Sequence, residues 1–506
     1  METAVRGQAQ SAGLVYARRQ PETTALYRVL QEHLLTFEQE WTDQASGRTL
    51  PRFVTDELHG FMACGILGRG FAHLLCESCG AHYVVAFSCK ARAVCPSCLG
   101  RRMSAGAANL VDHVLPDVPI RQFVLTLPFP LRFPLAFDGK LLGQVVRVFT
   151  DTVASWYRKR HVLRGLPDGE TGAVTAIQRA NSDLRLSPHF HTLFLDGVYG
   201  PDGDGQGQMF HPAPAPSQAD IEQLVLRVSR RILRFLQHRG VITLVTAPGD
   251  GEVTVVADET MGEQDPLLAK LLAAATCGAA PAGPASKRQP IRIVLDPDER
   301  PVGKGALCGQ AHAFNLQVAT RVAANDKAGR ERLCRYILRP PLANDRLKIL
   351  DEGNVRLELK RPWSDGTSAV ELPPLALIAR LAALVPAPRR HTVRYCGVLS
   401  SHAASRKEVV PSPLPVAAPS AAGQDKPKSR PKYIRWSELL RRVFGIEVVC
   451  PKCQAPLRLI SLIKSEPIAK KILIAMHLPA DVPGLHPARP PPGCGREGRE
   501  AEDYLN

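Results

Sequence analysis

Residues 173–199 read AVTAIQRANSDLRLSPHFHTLFLDGVY. Two runs, 173–180 and 189–195, mix β-branched, aromatic and small residues, and a polar loop separates them, so they predict two neighbouring strands. In a strand, residues i and i+2 share a face. His189 and His191 therefore point one way and Phe190 the other. Two imidazoles on one face can hold a divalent ion and leave coordination positions open for phosphate oxygens. Histidine pairs at this spacing also arise by chance, so a third ligand is wanted. Gln178, on the paired strand, is the first candidate; Asp183 and Gln317 are others.

Upstream, residues 121–127 (RQFVLTL) predict another strand, ended by Pro128 and Pro130. Helical spacing appears over 22–41, 138–160, 217–238 and 326–339, and strand-like alternation over 312–319. Residues 60–102 carry few helical signals, and 274–290 read as an insertion of low pattern. Residues 411–432 hold six prolines and read as an extended linker.

The helix at 326–339 contains GRERLCRYILRPP (329–341), in which Pro340 and Pro341 end it. Tyr336 lies in its last turn. Arg332 is four residues before it and Arg339 three after, so both flank the tyrosine on one helix face, with Arg330 and Arg335 nearby. A phenol titrates near 10 and is a weak nucleophile at neutral pH, whereas adjacent cations and a metal favour the phenolate and offset charge growing on a phosphodiester. The competing reading is an interfacial tyrosine with its hydroxyl in solvent.

Cys76, Cys79, Cys95 and Cys98 form C-x2-C-x15-C-x2-C, a spacing that predicts one tetrahedral structural zinc site. Cys64, Cys89 and His82 are spare in this scheme. Cys450 and Cys453 form a further doublet, a second zinc centre if His477, His486 or Cys494 completes it. A basic run (Lys426, Lys428, Arg430, Lys432, Arg435) with Tyr433 and Trp436 precedes it, suited to phosphate contacts and base stacking or to a solvated linker.

The whole chain fits these signals. It has 506 residues, 64 Lys+Arg against 48 Asp+Glu, and a net charge of +16. That excess favours a polyanionic partner, nucleic acid above all. No apolar run reaches a membrane span and the N-terminus has no apolar core, so a reducing cytoplasm is expected and the 13 cysteines read as metal ligands or buried thiols.

Four segments in order, CGILGRGFAHLLCESC…FSCKARAVCPSC (64–98), RQFVLTLPFPLRF (121–133), AIQRANSDLRLSPHFHTLFLDGVY (176–199) and ERLCRYILRPPLANDRL (331–347), resemble the rolling-circle transposases of the IS91 family and their ISCR relatives, and 391–411 extends the match. The resemblance implies an α+β fold of the HUH type: an antiparallel sheet flanked by helices, preceded by a small four-cysteine zinc module and followed by a small C-terminal module. It implies His189 and His191 as ligands of a catalytic Mg²⁺ or Mn²⁺, Tyr336 as nucleophile, structural Zn²⁺, single-stranded or hairpin element ends and target DNA as partners, and a bacterial, nucleoid-associated setting. Two-tyrosine members carry a second tyrosine where this chain has Arg332, so the chain resembles the single-tyrosine type. Gln317 stands where relatives are expected to carry histidine.

The expected organisation is a helical region (1–59), the zinc module (60–110), a nicking core (111–350) with an insertion near 200–310, a core extension (351–410), the linker (411–432) and a basic tail (433–506). A replication initiator or relaxase with the same chemistry, an inactive DNA-binding zinc protein, and an unrelated metallohydrolase are the competing readings.

Overall fold

The computed structural model describes residues 19–166, 168–202, 207–246, 253–257, 262–278, 294–295, 302–303, 305–363, 365–411 and 449–489. The helices that position the site are α1 (Ala25–Glu40), α2 (Arg52–Met62), α3 (Pro96–His113), α4 (Gly139–Val162), α5 (Gln218–His238), α6 (Lys327–Ile337), α7 (Pro374–Leu384) and α8 (Glu466–Ala475); Phe129–Phe137, Pro266–Cys277 and Arg406–Val409 are helical too. The strands that position the site are β1 (Phe71–Cys76), β2 (His82–Ala86), β3 (Ile120–Thr126), β4 (Gly172–Ala180), β5 (Leu186–Leu195), β6 (Cys308–Ala311), β7 (Phe314–Gln317), β8 (Arg321–Val322), β9 (Val393–Gly397) and β10 (Leu457–Ile463). The protein is a mixed helix and sheet fold with antiparallel sheets and N-terminal cysteine clusters.

The largest sheet runs from Val302–Gly303 through β6, β7, β3, β5 and β4 to β9, with β8 also paired to β3. Its centre is β5, which pairs antiparallel with β3 on one side and β4 on the other. Helices cover both faces. On one, Phe123, Leu125, Phe190 and Phe194 pack against Val145, Phe149 and Val153 of α4 and Val225, Val228 and Ile232 of α5. On the other, Ile120, Val174, Ala176, Leu193 and Leu195 pack against Ala107, Leu110 and Val111 of α3 and Leu333, Cys334 and Ile337 of α6. Burial on both sides explains why residues 192–195 (TLFL) lack the alternation of a half-buried strand.

A buried ionic knot pins the end of β5 to its neighbours. The Asp196 carboxylate accepts from Arg121 Nε and Nη2 (2.9 and 3.0 Å), from Tyr157 Oη (3.0 Å) and from Arg321 Nε (2.8 Å). This ties β3, α4 and β8 together. Burial and the Asp196 charge push the Tyr157 phenol well above its ordinary range, so it stays a donor.

Several local readings change. Residues 60–102 contain the end of α2 and the start of α3, so the cysteine-rich stretch is less irregular than its composition implies. Pro96 opens α3: it takes the first helical position, where a missing N–H costs nothing, and Cys95 Sγ caps the Cys98 amide at 3.4 Å. The alternation at 312–319 is the second half of a hairpin, β6–β7, whose turn residues His312 and Ala313 hold φ of 47° and 59°. Without Gly or Asn there, the sequence hides the turn. The stretch predicted as a patternless insertion begins inside the helix Pro266–Cys277. Most of that stretch, the proline-rich segment and the basic run with Tyr433 and Trp436 lie outside the described residues.

Candidate active site and metal centres

Register places the histidines. His189 lies opposite Thr126 and Gln178, and His191 opposite Val124 and Ala176, so all six share the sheet face that α3 and α6 cover. The two imidazole centroids are 5.1 Å apart. His189 Nδ1 donates to the carbonyl of Ser187 at 2.8 Å, which leaves Nε2 with its lone pair outward. The Gln122 amide lies 2.8 Å from His191 Nδ1; turned with its oxygen to this nitrogen, it orients the second ring the same way. Burial lowers the pKa of both rings, and together with the neighbouring His189 it holds His191 at about 3. Both rings are neutral at pH 7, the state in which imidazole ligates metal.

Tyr336 reaches the same place from α6. Its ring centroid is 5.6 Å from that of His191, at a steep interplanar angle of 79°. Leu333, Cys334 and Ile337 bury the opposite side of the helix, which turns the tyrosine outward with 42% of its surface exposed. Arg339 stacks over the ring, its guanidinium carbon 4.3 Å from the centroid. Arg332 is exposed one turn earlier. The remaining arginines of the motif are held elsewhere: Arg330 is buried against Asp117 and the Pro116 carbonyl, and Arg335 pairs with Glu331.

The third-ligand candidates separate cleanly. Gln178 shares the face and faces His189, and its Nε2 donates to the Ile337 carbonyl at 2.9 Å, joining β4 to the end of the tyrosine helix. Gln317 shares the face but stands a full strand further away, beyond Val124. Asp183 is spent in the β4–β5 turn, where it accepts from Arg185 Nε at 2.5 Å. Among the described residues no third His, Cys, Asp or Glu joins the pair.

Beside this site lies a cavity of about 210 Å³ between α3, β4 and the end of α6. Arg92, Arg102, Arg179, Arg339 and Lys360 line it together with apolar side chains, and no carboxylate does. Desolvation, with Arg339 and Arg346 nearby, pushes the Lys360 ammonium down to about 8. Composition registered the positive excess, but only the fold gathers residues from separate stretches of the chain into one hollow.

The cysteines do not group as their spacing predicts. Cys95 and Cys98 join Cys64 and Cys89, whereas Cys76 and Cys79 join Cys450 and Cys453. The physical reason is the β1–β2 hairpin. Cys76 and Cys79 sit in its turn, while Cys64 precedes β1 and Cys89 follows β2. At roughly 3.3 Å per residue, the hairpin holds the two groups about 15 Å apart, so C-x2-C-x15-C-x2-C cannot close on one ion. The cysteines read as spare are thus members of the first quartet. Neither His477 nor His486 joins Cys450 and Cys453, and Cys494 lies outside the described residues.

Both quartets suit zinc. Tetrahedral Zn–S bonds near 2.3 Å require sulfurs about 3.8 Å apart. In the first quartet, Cys64 lies 3.8 Å from Cys95 and 3.6 Å from Cys98, and Cys89 lies 3.5 Å from Cys98. Backbone amides of Cys89 and Ala91 point at the sulfurs of Cys64 and Cys89, as thiolates need. In the second, Cys76–Cys453 and Cys79–Cys450 are 3.3 and 3.5 Å.

Comparison with known families gives the class to which this geometry belongs. Residues 172–407 match the family described as "Putative transposase" (Y2_Tnp), and residues 33–127 match the "Transposase zinc-binding domain" (Zn_Tnp_IS91). The chain is a DNA transposase, a DNA-binding and DNA-cleaving enzyme with structural zinc. In order and content its segments place it with the IS91-type transposases that carry an N-terminal zinc region. No curated protein and no solved structure matches it. Among the described residues no helix is long and apolar enough to cross a membrane.

Proposed function

We propose that the transposase nicks and rejoins single-stranded element ends through a covalent 5′-phosphotyrosine link to Tyr336, in rolling-circle-type transposition. The observation that carries this reading is the approach of Tyr336 to His191, on the face His189 shares, with Arg339 over the ring. His189 and His191 would hold a divalent ion, Mg²⁺ or Mn²⁺, with Gln178 nearest to complete the set; such an ion supplies polarisation of a phosphate oxygen. The Tyr336 oxygen forms a bond to phosphorus as the bond to the 3′ oxygen breaks. The phenolic proton is lost, and the leaving 3′ oxygen gains one. Arg339, and Arg332 from the exposed side, offset charge on the phosphoryl oxygens. Because a phosphotyrosine keeps the reactivity of a phosphodiester, a 3′-hydroxyl reverses the step at a new site without ATP.

The carboxylate-free cavity supports a DNA path beside the tyrosine, with Arg102 and Lys360 contacting phosphates and the apolar lining accepting a base or sugar. A replication initiator or relaxase would use the same step, but the two transposase families matched favour transposition. The test is a labelled single-stranded element end incubated with the protein. Wild type forms a denaturation-resistant adduct and Tyr336→Phe forms none; an undiminished adduct in the variant would overturn the assignment.

A further inference from the structure

We infer that Cys76, Cys79, Cys450 and Cys453 bind a second zinc ion, and that this ion clasps the C-terminal segment 449–489 onto the N-terminal module. The family match to the zinc-binding domain covers residues 33–127 and so contains only half of this ligand set.

The two halves have the same build. In each, the amide four residues after the first cysteine closes a tight turn back on that cysteine's carbonyl: Gly80 N donates to Cys76 O and Gln454 N to Cys450 O, both at 2.8 Å. Gly80 and Gln454 take the same left-handed backbone, φ 69° and 59°. Cys76 N and Cys450 N then receive the returning strand, donating to Ala81 O (2.9 Å) and Ala455 O (2.8 Å). Two such turns facing each other present four sulfurs, all within 4.8 Å. Tyr83 Oη lies 3.3 Å from the buried Cys450 sulfur, a donor for a thiolate.

The sheet and core continue the join. β10 adds to β1 as a third antiparallel strand, with Cys76 opposite Leu457 and Phe71 opposite Ile463. Leu67 and Phe71 share a small core with Ala469 and Leu473 of α8. Arg69 pairs with Glu466, and Arg458 with Glu77. The chain then returns along α1, where Gln31 exchanges hydrogen bonds with Gly484 O and His486 N, both at 2.9 Å. That core is small, so the ion is the principal bond holding the segment. Loading it expels one proton from each thiol that is protonated beforehand, up to four per ion.

The experiment uses the full chain, purified without chelator, with metal measured by elemental analysis. Two zinc ions per chain are expected in wild type, falling to one in Cys450→Ser/Cys453→Ser. Cys453→His, which restores a zinc-competent ligand at an exposed position, should return the count to two. In parallel, a specific protease site is placed within 412–448. The cut fragments should co-elute in zinc and separate on chelation, and should separate in the double-serine variant without chelation. One zinc in wild type, or a count unchanged by the double substitution, would overturn the proposal. So would fragments that stay together once the second zinc is lost.

Discussion

At the scale of single residues, the site depends on groups that hold the reacting ones in place. Replacing His189 and His191 with Ala should abolish metal-dependent cleavage while leaving zinc content unchanged, because neither quartet uses histidine; elemental analysis beside a nicking assay checks both halves. Lys360 gives a pH signature. Its ammonium is held at about 8, so its positive charge is present below that pH and lost above it. Affinity for a single strand should therefore fall between pH 7 and 9, and Lys360→Arg, which stays charged, should flatten that fall in a fluorescence-anisotropy titration. Asp196 is the structural counterpart. Asp196→Ala leaves the buried Arg121 guanidinium without its carboxylate and should cost about 3–5 kcal/mol in chemical denaturation.

At the scale of elements, local spacing was a good guide wherever one element is enough. The pattern His-Phe-His requires both imidazoles on one face in any strand, and the prolines after Tyr336 end its helix in any context. What spacing could not give is which elements meet. Cys95 and Cys98 pair with Cys64 and Cys89 because a hairpin carries Cys76 and Cys79 away, and a hairpin's direction is not written in the interval between doublets. Likewise Gln178 was legible as a neighbour of His189, but not its bond to the Ile337 carbonyl, which ties β4 to the tyrosine helix. The join of β9 to β4 supplies a test of its own. Gly397 has φ of 58°, and an added Cβ would lie 1.9 Å from the Thr171 carbonyl oxygen. Gly397→Ala should therefore destabilise the protein by more than about 1 kcal/mol, read by thermal or chemical unfolding.

At the scale of the whole molecule, the net charge of +16 becomes a distribution. Part of it is internal: Arg121 and Arg330 are buried and pair with Asp196 and Asp117. The part facing the cavity is uncompensated by any acid in its lining. Binding of a single strand should therefore weaken steeply with salt. Arg102→Ala, which takes one cation away from the phosphate backbone, should make the slope of log K against log salt shallower by about 0.7. Sequence reading found the polyanion partner from composition and the transposase type from ordered motifs. It could not see that the first and last described segments form one body, since the sulfurs of Cys79 and Cys450 meet across 371 residues.

That union has a consequence for how the protein is made. While the ribosome is still translating the middle of the chain, β1 has β2 on one side and an open row of backbone donors and acceptors on the other. Only when β10 emerges is that edge sealed and the last pair of sulfurs delivered. Until then the nascent N-terminal module is a sticky, half-liganded intermediate. A chain broken off early would keep its tyrosine and histidines yet leave this edge bare, and so would be prone to aggregate before it could cut DNA.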